Sequence, residues 1–237
     1  MINEVVGLIS QRFEALKGSG TVVRLDHAFV AFSGDVICRL CCEDHNDMVK
    51  HPEFAPHWFD LLHGVIFAIP LFVGFPFIIN IVNLIPERLV TWADSRSRIF
   101  VVFKNTARDH IIKAKRAKLK PETEKGNQGR SSLFRYIVNS DMPKSELSTD
   151  RLTKEAQVLL GAGSASTART LDFMVYYIIA DEHIRTRLQE ELRESMSGYP
   201  EKIPAWSELE KLPYLQAIIK EGLRRVTLGF CYSVVMC

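Results

Sequence analysis

Apolar positions recur along the chain with helical spacing. Val5, Val6, Ile9, Phe13 and Leu16 line one face of an amphipathic helix over residues 1–16. Gly18-Ser-Gly20 interrupts it, and Thr21-Val-Val-Arg-Leu25 reads as a short strand. Asp26 is placed as the N-cap of a second helix running to about Leu40. A loop with Pro52 and Pro56 leads to the most apolar stretch, Gly64 to Pro86, which is long enough to cross a bilayer. Pro70, Pro76, Asn80 and Asn83 divide it, so two short buried or interfacial helices joined at the prolines are expected, with lipid contact or a single membrane span as the alternative.

Residues 87–119 read as one amphipathic helix that turns basic at Lys113, Lys115, Arg116, Lys118 and Lys120, a solvated end favoured by the helix dipole. Pro121 to Ser132 is a polar loop, and Ser131 to Asn139 a short helix. Ser148-Thr-Asp150 caps a long helix from Arg151 to about Ala180. Further helices follow over Asp181 to Met196 and Ser207 to about Arg225, the last with a break near Pro213. The expected architecture is mainly α, one incomplete domain over 1–225 with a divergent tail over 226–237.

Composition narrows the function classes. Hydrophobic residues are 47% and charged residues 24% of 237, which argues against disorder, and a net charge of +2 gives no reason to expect nucleic acid. No aromatic residue is interleaved in the basic run, which also argues against single-strand binding. The cysteines are Cys38, Cys41, Cys42, Cys231 and Cys237, an odd and clustered set that favours a reducing compartment. The first ten residues have neither a basic start nor a long apolar run, so they read as neither signal peptide nor anchor.

Several motifs are incomplete. Cys38-Arg-Leu-Cys41 has zinc-like spacing but no second pair, so packed thiols are expected rather than a metal site. His45, His51, His57 and His63 recur every six residues, which suits no regular face. Neither Gly18/Gly20 nor Gly161/Gly163 completes a phosphate-binding fingerprint.

Two features carry more. Leu160-Gly-Ala-Gly-Ser-Ala-Ser-Thr-Ala-Arg-Thr170 puts two glycines inside a helix, where each costs about 1 kcal/mol against alanine. Either something large lies on that helix or another helix crosses it closely. Glu221-Gly-Leu-Arg224 places an acid and a base on one face, by itself an ordinary surface pair.

In this order, with Gly34-Asp-Val-Ile37 earlier in the chain, these segments resemble the cytochrome P450 family of the fungal microsomal type. Leu152 to Leu171 resembles the family's long central helix with its A-G-x-[D/E]-T-[T/S] signature, and Leu212 to Arg224 its E-x-x-R helix. The resemblance implies a partial P450 fold that binds haem. Ala162 and Gly163 would lie on the haem face, and Ser166 with Thr167 would supply catalytic hydroxyls. Glu221 and Arg224 would form a buried ion pair near the cofactor. It also implies NADPH-cytochrome P450 reductase and a lipophilic small-molecule substrate as partners, membrane contact by residues 64–86, and the cytosolic face of the endoplasmic reticulum.

The departures are specific. The signature's acid falls at Ala165 and its threonine at Ser166, so a hydroxyl is kept and a carboxylate is lost. The family's F-x-x-G-x-R-x-C-x-G loop, source of the thiolate that haem needs for O–O cleavage, does not occur in these residues. The expectation is a fragment that does not catalyse alone; the alternative is a non-catalytic helical fragment that acts only through a partner or a membrane.

Overall fold

The computed structural model describes residues 1–44, 47–77, 98–118, 132–199 and 201–235. Its elements are α1 (Ile2–Leu16), α2 (Leu25–Cys41), a 3-10 turn (Met48–Lys50), α3 (Pro56–Gly74), α4 (Arg98–Lys118), α5 (Leu133–Val138), α6 (Thr149–Ala180), α7 (Glu182–Ser195), α8 (Trp206–Leu209) and α9 (Pro213–Val235). No strand occurs among the described residues. The chain divides into two compact units, Met1–Ser166 and Thr167–Cys237, with α6 running through the division.

In the N-terminal unit α2 is the hub, packing against α1, the 3-10 turn, α3 and α5. Ala28, Phe29, Ala31, Cys38 and Cys41 bury its length. The decisive polar contact is Asp35, 1% exposed, whose two carboxylate oxygens accept the backbone N–H groups of Met48 (2.8 Å) and Val49 (2.9 Å). These are the open donors of the 3-10 turn, which the chain leaves unpaired unless a side chain caps them. Burial pushes the Asp35 carboxyl upward, and the two N–H bonds oppose that. Beside it, Gly34 lets the Trp58 indole approach to within 2.8 Å of where a Cβ would stand.

Several boundaries differ from the sequence expectations for local reasons. Residues 21–24 form no strand; Val22 is 91% exposed and no neighbouring segment offers ladder bonds. Gly18 and Gly20, at φ +75° and +72°, instead turn the chain into α2. Asp26 is not the N-cap, because the helix begins at Leu25 behind Arg24, two residues before the start that an Asp26 cap implies. Asp26 sits in the first turn, accepting from His27 N–H (2.9 Å) and from Arg24 (2.5 and 3.1 Å), where negative charge suits the helix dipole.

α3 passes through Pro70 without breaking, since proline removes one ladder bond and the turns on both sides are complete. It ends at Gly74 because Phe75 precedes Pro76, and a residue before proline is forced out of helical geometry. A second helix towards Pro86, and the loop from Pro121, lie outside the described residues. Lys113 and Lys115 are tied rather than merely solvated: Lys113 donates to Asp44 (2.7 Å), and Lys115 to the Leu147 carbonyl (2.8 Å) and Thr149 Oγ1 (3.0 Å). Ser132 caps α5 and donates to Glu43, which also receives Arg135.

The C-terminal unit is built by caps. Asp181 Oδ1 accepts from His183 N–H (2.9 Å) and Ile184 N–H (3.1 Å) to start α7. Glu191 of α7 does the same for α9 across space, accepting from Tyr214 and Leu215 N–H, both at 2.8 Å. Arg187 stacks on the Tyr214 ring at 4.4 Å. The expected break at Pro213 is the start of α9, which continues to Val235, so the backbone of residues 226–235 extends the motif helix.

Asp35→Asn should lower stability by about 2 kcal/mol, because the amide can accept one N–H and turns a donor towards the other. Urea denaturation followed by circular dichroism measures this, and an unchanged midpoint would show that the 3-10 turn does not need the cap. His110, buried on α4, has its pKa lowered first by burial and then by Lys113. The folded state therefore disfavours the imidazolium. Stability should fall as pH drops from about 7 to about 5.5, through the unfolded-state pKa of about 6.5. In His110→Phe this part of the pH dependence should vanish, as read from unfolding midpoints at the two pH values.

Candidate functional site

The small-residue run of α6 divides between two faces. Leu152, Ala156, Leu160 and Ser164, four apart, are buried in the N-terminal unit. Gly161 and Gly163 flank that stripe. A Cβ on Gly161 would stand 3.2 Å from Phe103 of α4, and one on Gly163 only 2.8 Å from Ile37 of α2. Ser33 Oγ lies 2.7 Å from the Ser164 carbonyl and donates to it across the same crossing. The two glycines therefore serve close helix approach, one of the two alternatives left by the sequence. The bare Cα of Gly163 is used by α2.

Ala162 and Ser166 lie on the other face, exposed, with Val158 one turn earlier. Ser166 Oγ donates back to the Ala162 carbonyl at 2.7 Å, the usual local bond of a helical serine. Thr167, the next residue, is exposed as well. Ala165 offers no acid beside them. The result is an open strip that carries the Ser166 hydroxyl at one end, with the Thr167 hydroxyl beside it.

Glu221 and Arg224 meet as their spacing requires. Arg224 donates from Nε to Oε2 (2.7 Å) and from Nη2 to Oε1 (2.6 Å), a bidentate pair. Arg225, which sequence reasoning passed over, donates to the same Oε1 at 2.7 Å. Hydrogen bonds from Arg224 and then Arg225 hold the Glu221 carboxyl down at about 2. The resemblance implies a buried pair; here both side chains are exposed, at 45% for Glu221 and 60% for Arg224, because no described element of their unit covers them.

The thiols of α2 and its C-cap, Cys38, Cys41 and Cys42, are all buried and form no disulfide. Burial first, then Cys38, pushes Cys41 up to about 11, and a hydrogen bond with Cys38 followed by burial pushes Cys42 upward. Cys41 and Cys42 are thus neutral packing groups, not thiolates. Among the described residues no set of three metal-ligating side chains converges. His63 stacks on Phe59 (5.2 Å) and meets Phe67 at a tilt (4.5 Å) along α3, while His45 lies outside the described residues.

A close α2–α6 crossing, an open strip behind it and a Glu–Arg helix downstream form an ordered set, and the family model for cytochrome P450 matches residues 1–229. The chain belongs to the cytochrome P450 family. It is 48% identical over 218 residues to cytochrome P450 monooxygenase oblB of Cochliobolus heterostrophus, covering 92% of this chain and 42% of that protein. The fusicoccadiene C-8 hydroxylase of Phomopsis amygdali is 44% identical over 227 residues, covering 94% and 43%. Stellatic acid synthase of Emericella variicolor is 39% identical over 217, covering 92% and 36%. The chain thus spans about two fifths of the length of these P450 relatives.

The family implies haem. On the side of α6 the fit is good: Ala162 and Ser166 leave a strip without bulky side chains, open to a flat apolar group. The three described thiols do not fit the role of axial ligand: all are buried in the packing of α2, and Cys41 and Cys42 are held neutral as well.

The packing role of Gly163 gives a signed expectation. Gly163→Ala gains about 1 kcal/mol of helix propensity but meets Ile37, and overpacking costs about 1–3 kcal/mol, so the net change should be destabilising. In an Ile37→Ala background the same substitution should stabilise, by about 1 kcal/mol. A double-mutant cycle by denaturant unfolding checks the reversal of sign.

Proposed function

We propose that this stretch belongs to a haem-thiolate monooxygenase that inserts one oxygen atom into a lipophilic small molecule, with electrons from NADPH-cytochrome P450 reductase. What carries the reading is the family match together with the open Ala162–Ser166 strip on the helix that bears the family's signature. The name of the fusicoccadiene C-8 hydroxylase supports a hydrocarbon-like substrate that is hydroxylated at carbon.

Haem, when bound with a thiolate ligand, supplies the oxygen-cleaving chemistry. The chain's own residues do the rest. Ala162 gives a flat contact, and Ser166 holds a proton on Oγ, directed at the Ala162 carbonyl, that can be handed on by rotation. Ala165 cannot relay a proton, so water or the neighbouring Thr167 hydroxyl would have to complete the path. Glu221 and Arg224 act by holding α9, not by touching the substrate.

The end of α3 supports membrane contact on the cytosolic face of the endoplasmic reticulum. Residues 64–77 contain no polar side chain, and Phe67, Val73 and Phe77 are more than half exposed. Pro56–Gly74 is long and apolar enough to cross a membrane, by length and composition. The same surface favours the second reading, a helical fragment that acts only by association.

The haem-thiolate cysteine loop is not among these residues, so the chain expressed alone should give no thiolate-type carbon monoxide difference band on reduction. A clear band would overturn that expectation. A chimera in which residues 1–229 replace the matching stretch of the Cochliobolus oblB protein should give the band. A soluble, folded chimera that takes up no haem would count against the monooxygenase reading.

A further inference from the structure

The E-x-x-R spacing names one arginine, but α9 presents two to the same carboxylate. Arg224 and Arg225 both donate to Glu221 Oε1, at 2.6 and 2.7 Å. They differ in what lies behind them. The Arg225 guanidinium stands over the ring of Tyr177, 5.0 Å from its centre, and Tyr177 belongs to α6. One residue from Glu221, Gly222 sits against Met174 of α6 so closely that an added Cβ would force the Met174 side chain to move. The C-terminal part of α6 and α9 are therefore in direct contact at this point, and Arg225 is the charged group that spans it.

We propose that Arg225 is a positioning residue. Stacked on Tyr177, it fixes the Glu221 carboxylate relative to the central helix and so sets the direction in which Arg224 is presented. A guanidinium must lie flat to stack on a ring, which selects among the many rotamers of a long exposed side chain. An isolated i, i+3 pair has no such constraint and turns with solvent. The importance of this for a haem pocket rests on the monooxygenase reading above; the geometry of Tyr177, Arg225 and Glu221 does not.

The test uses the full chain, labelled with carbon-13 at glutamate and arginine, and needs no haem, so its failure is distinct from failure of the chimera. At about pH 3.5, below the ordinary glutamate value, Glu221 should still be ionised, and the Arg225 δ-protons should show an upfield ring-current shift. Arg225→Gln should move the Glu221 titration up by about one unit, and Arg225→Lys should restore most of it by restoring charge. Tyr177→Leu is the decisive variant, because both arginines remain. It should also raise the Glu221 titration and abolish the Arg225 ring-current shift. Tyr177→Phe, which keeps the ring and removes the hydroxyl that Arg225 also engages, should keep the ring-current shift. An unmoved Glu221 titration in Tyr177→Leu, in protein whose helical circular dichroism matches the parent, overturns the proposal. So does loss of the Arg225 ring-current shift in Tyr177→Phe, where the ring is still present.

Discussion

The N-terminal unit depends on how closely α2 can approach α6. Two helices normally stand about 8–10 Å apart, at a distance set by the side chains between them. Here the absent side chain of Gly163 admits Ile37, and Ser33 reaches the Ser164 carbonyl directly. That proximity fixes the rotation of α6 about its own axis. With Leu160 and Ser164 turned inward, Ala162 and Ser166 must face out. The open strip is thus a consequence of packing on the opposite side.

α2 is in turn held by Asp35, so the crossing, the 3-10 turn and the entry to α3 form one connected system. Asp47, Phe54 and Ala55 near that turn adopt positive φ, which costs non-glycine residues energy. Arg12 steadies the segment, donating to the Pro52 carbonyl at 3.0 Å and lying over the Phe54 ring. The C-terminal unit uses other means. Two of its helices, α7 and α9, start on side-chain carboxylates, one local in Asp181 and one from a neighbouring helix in Glu191.

Much of this was legible in the sequence. Helical periodicity placed α1, α5, α6 and α7 within a residue or two, since amphipathic spacing and Ser or Asp caps are local signals. The pairing of Glu221 with Arg224 also follows from spacing alone. What was not legible depends on neighbours far along the chain. Residues 21–24 have strand-like composition but no partner strand, and α3 persists through Pro70 because its other turns suffice. The glycines of the central helix could not be assigned to a face until Ile37 and Phe103 were seen against them. Arg225 was missed because a pattern of fixed spacing does not ask what a neighbouring arginine stacks on.

Ser166 stands where the family signature has threonine, and the difference is a single γ-methyl. A β-branched threonine in a helix is confined in χ1 by its own turn. Serine lacks that restraint, so its hydroxyl can leave the Ala162 carbonyl and return within picoseconds to nanoseconds, as exposed rotamers do. Anything lying along the strip would therefore meet a donor whose direction is set by its own surroundings rather than by the helix. Specificity at that point passes from the protein's backbone to whatever molecule is bound there.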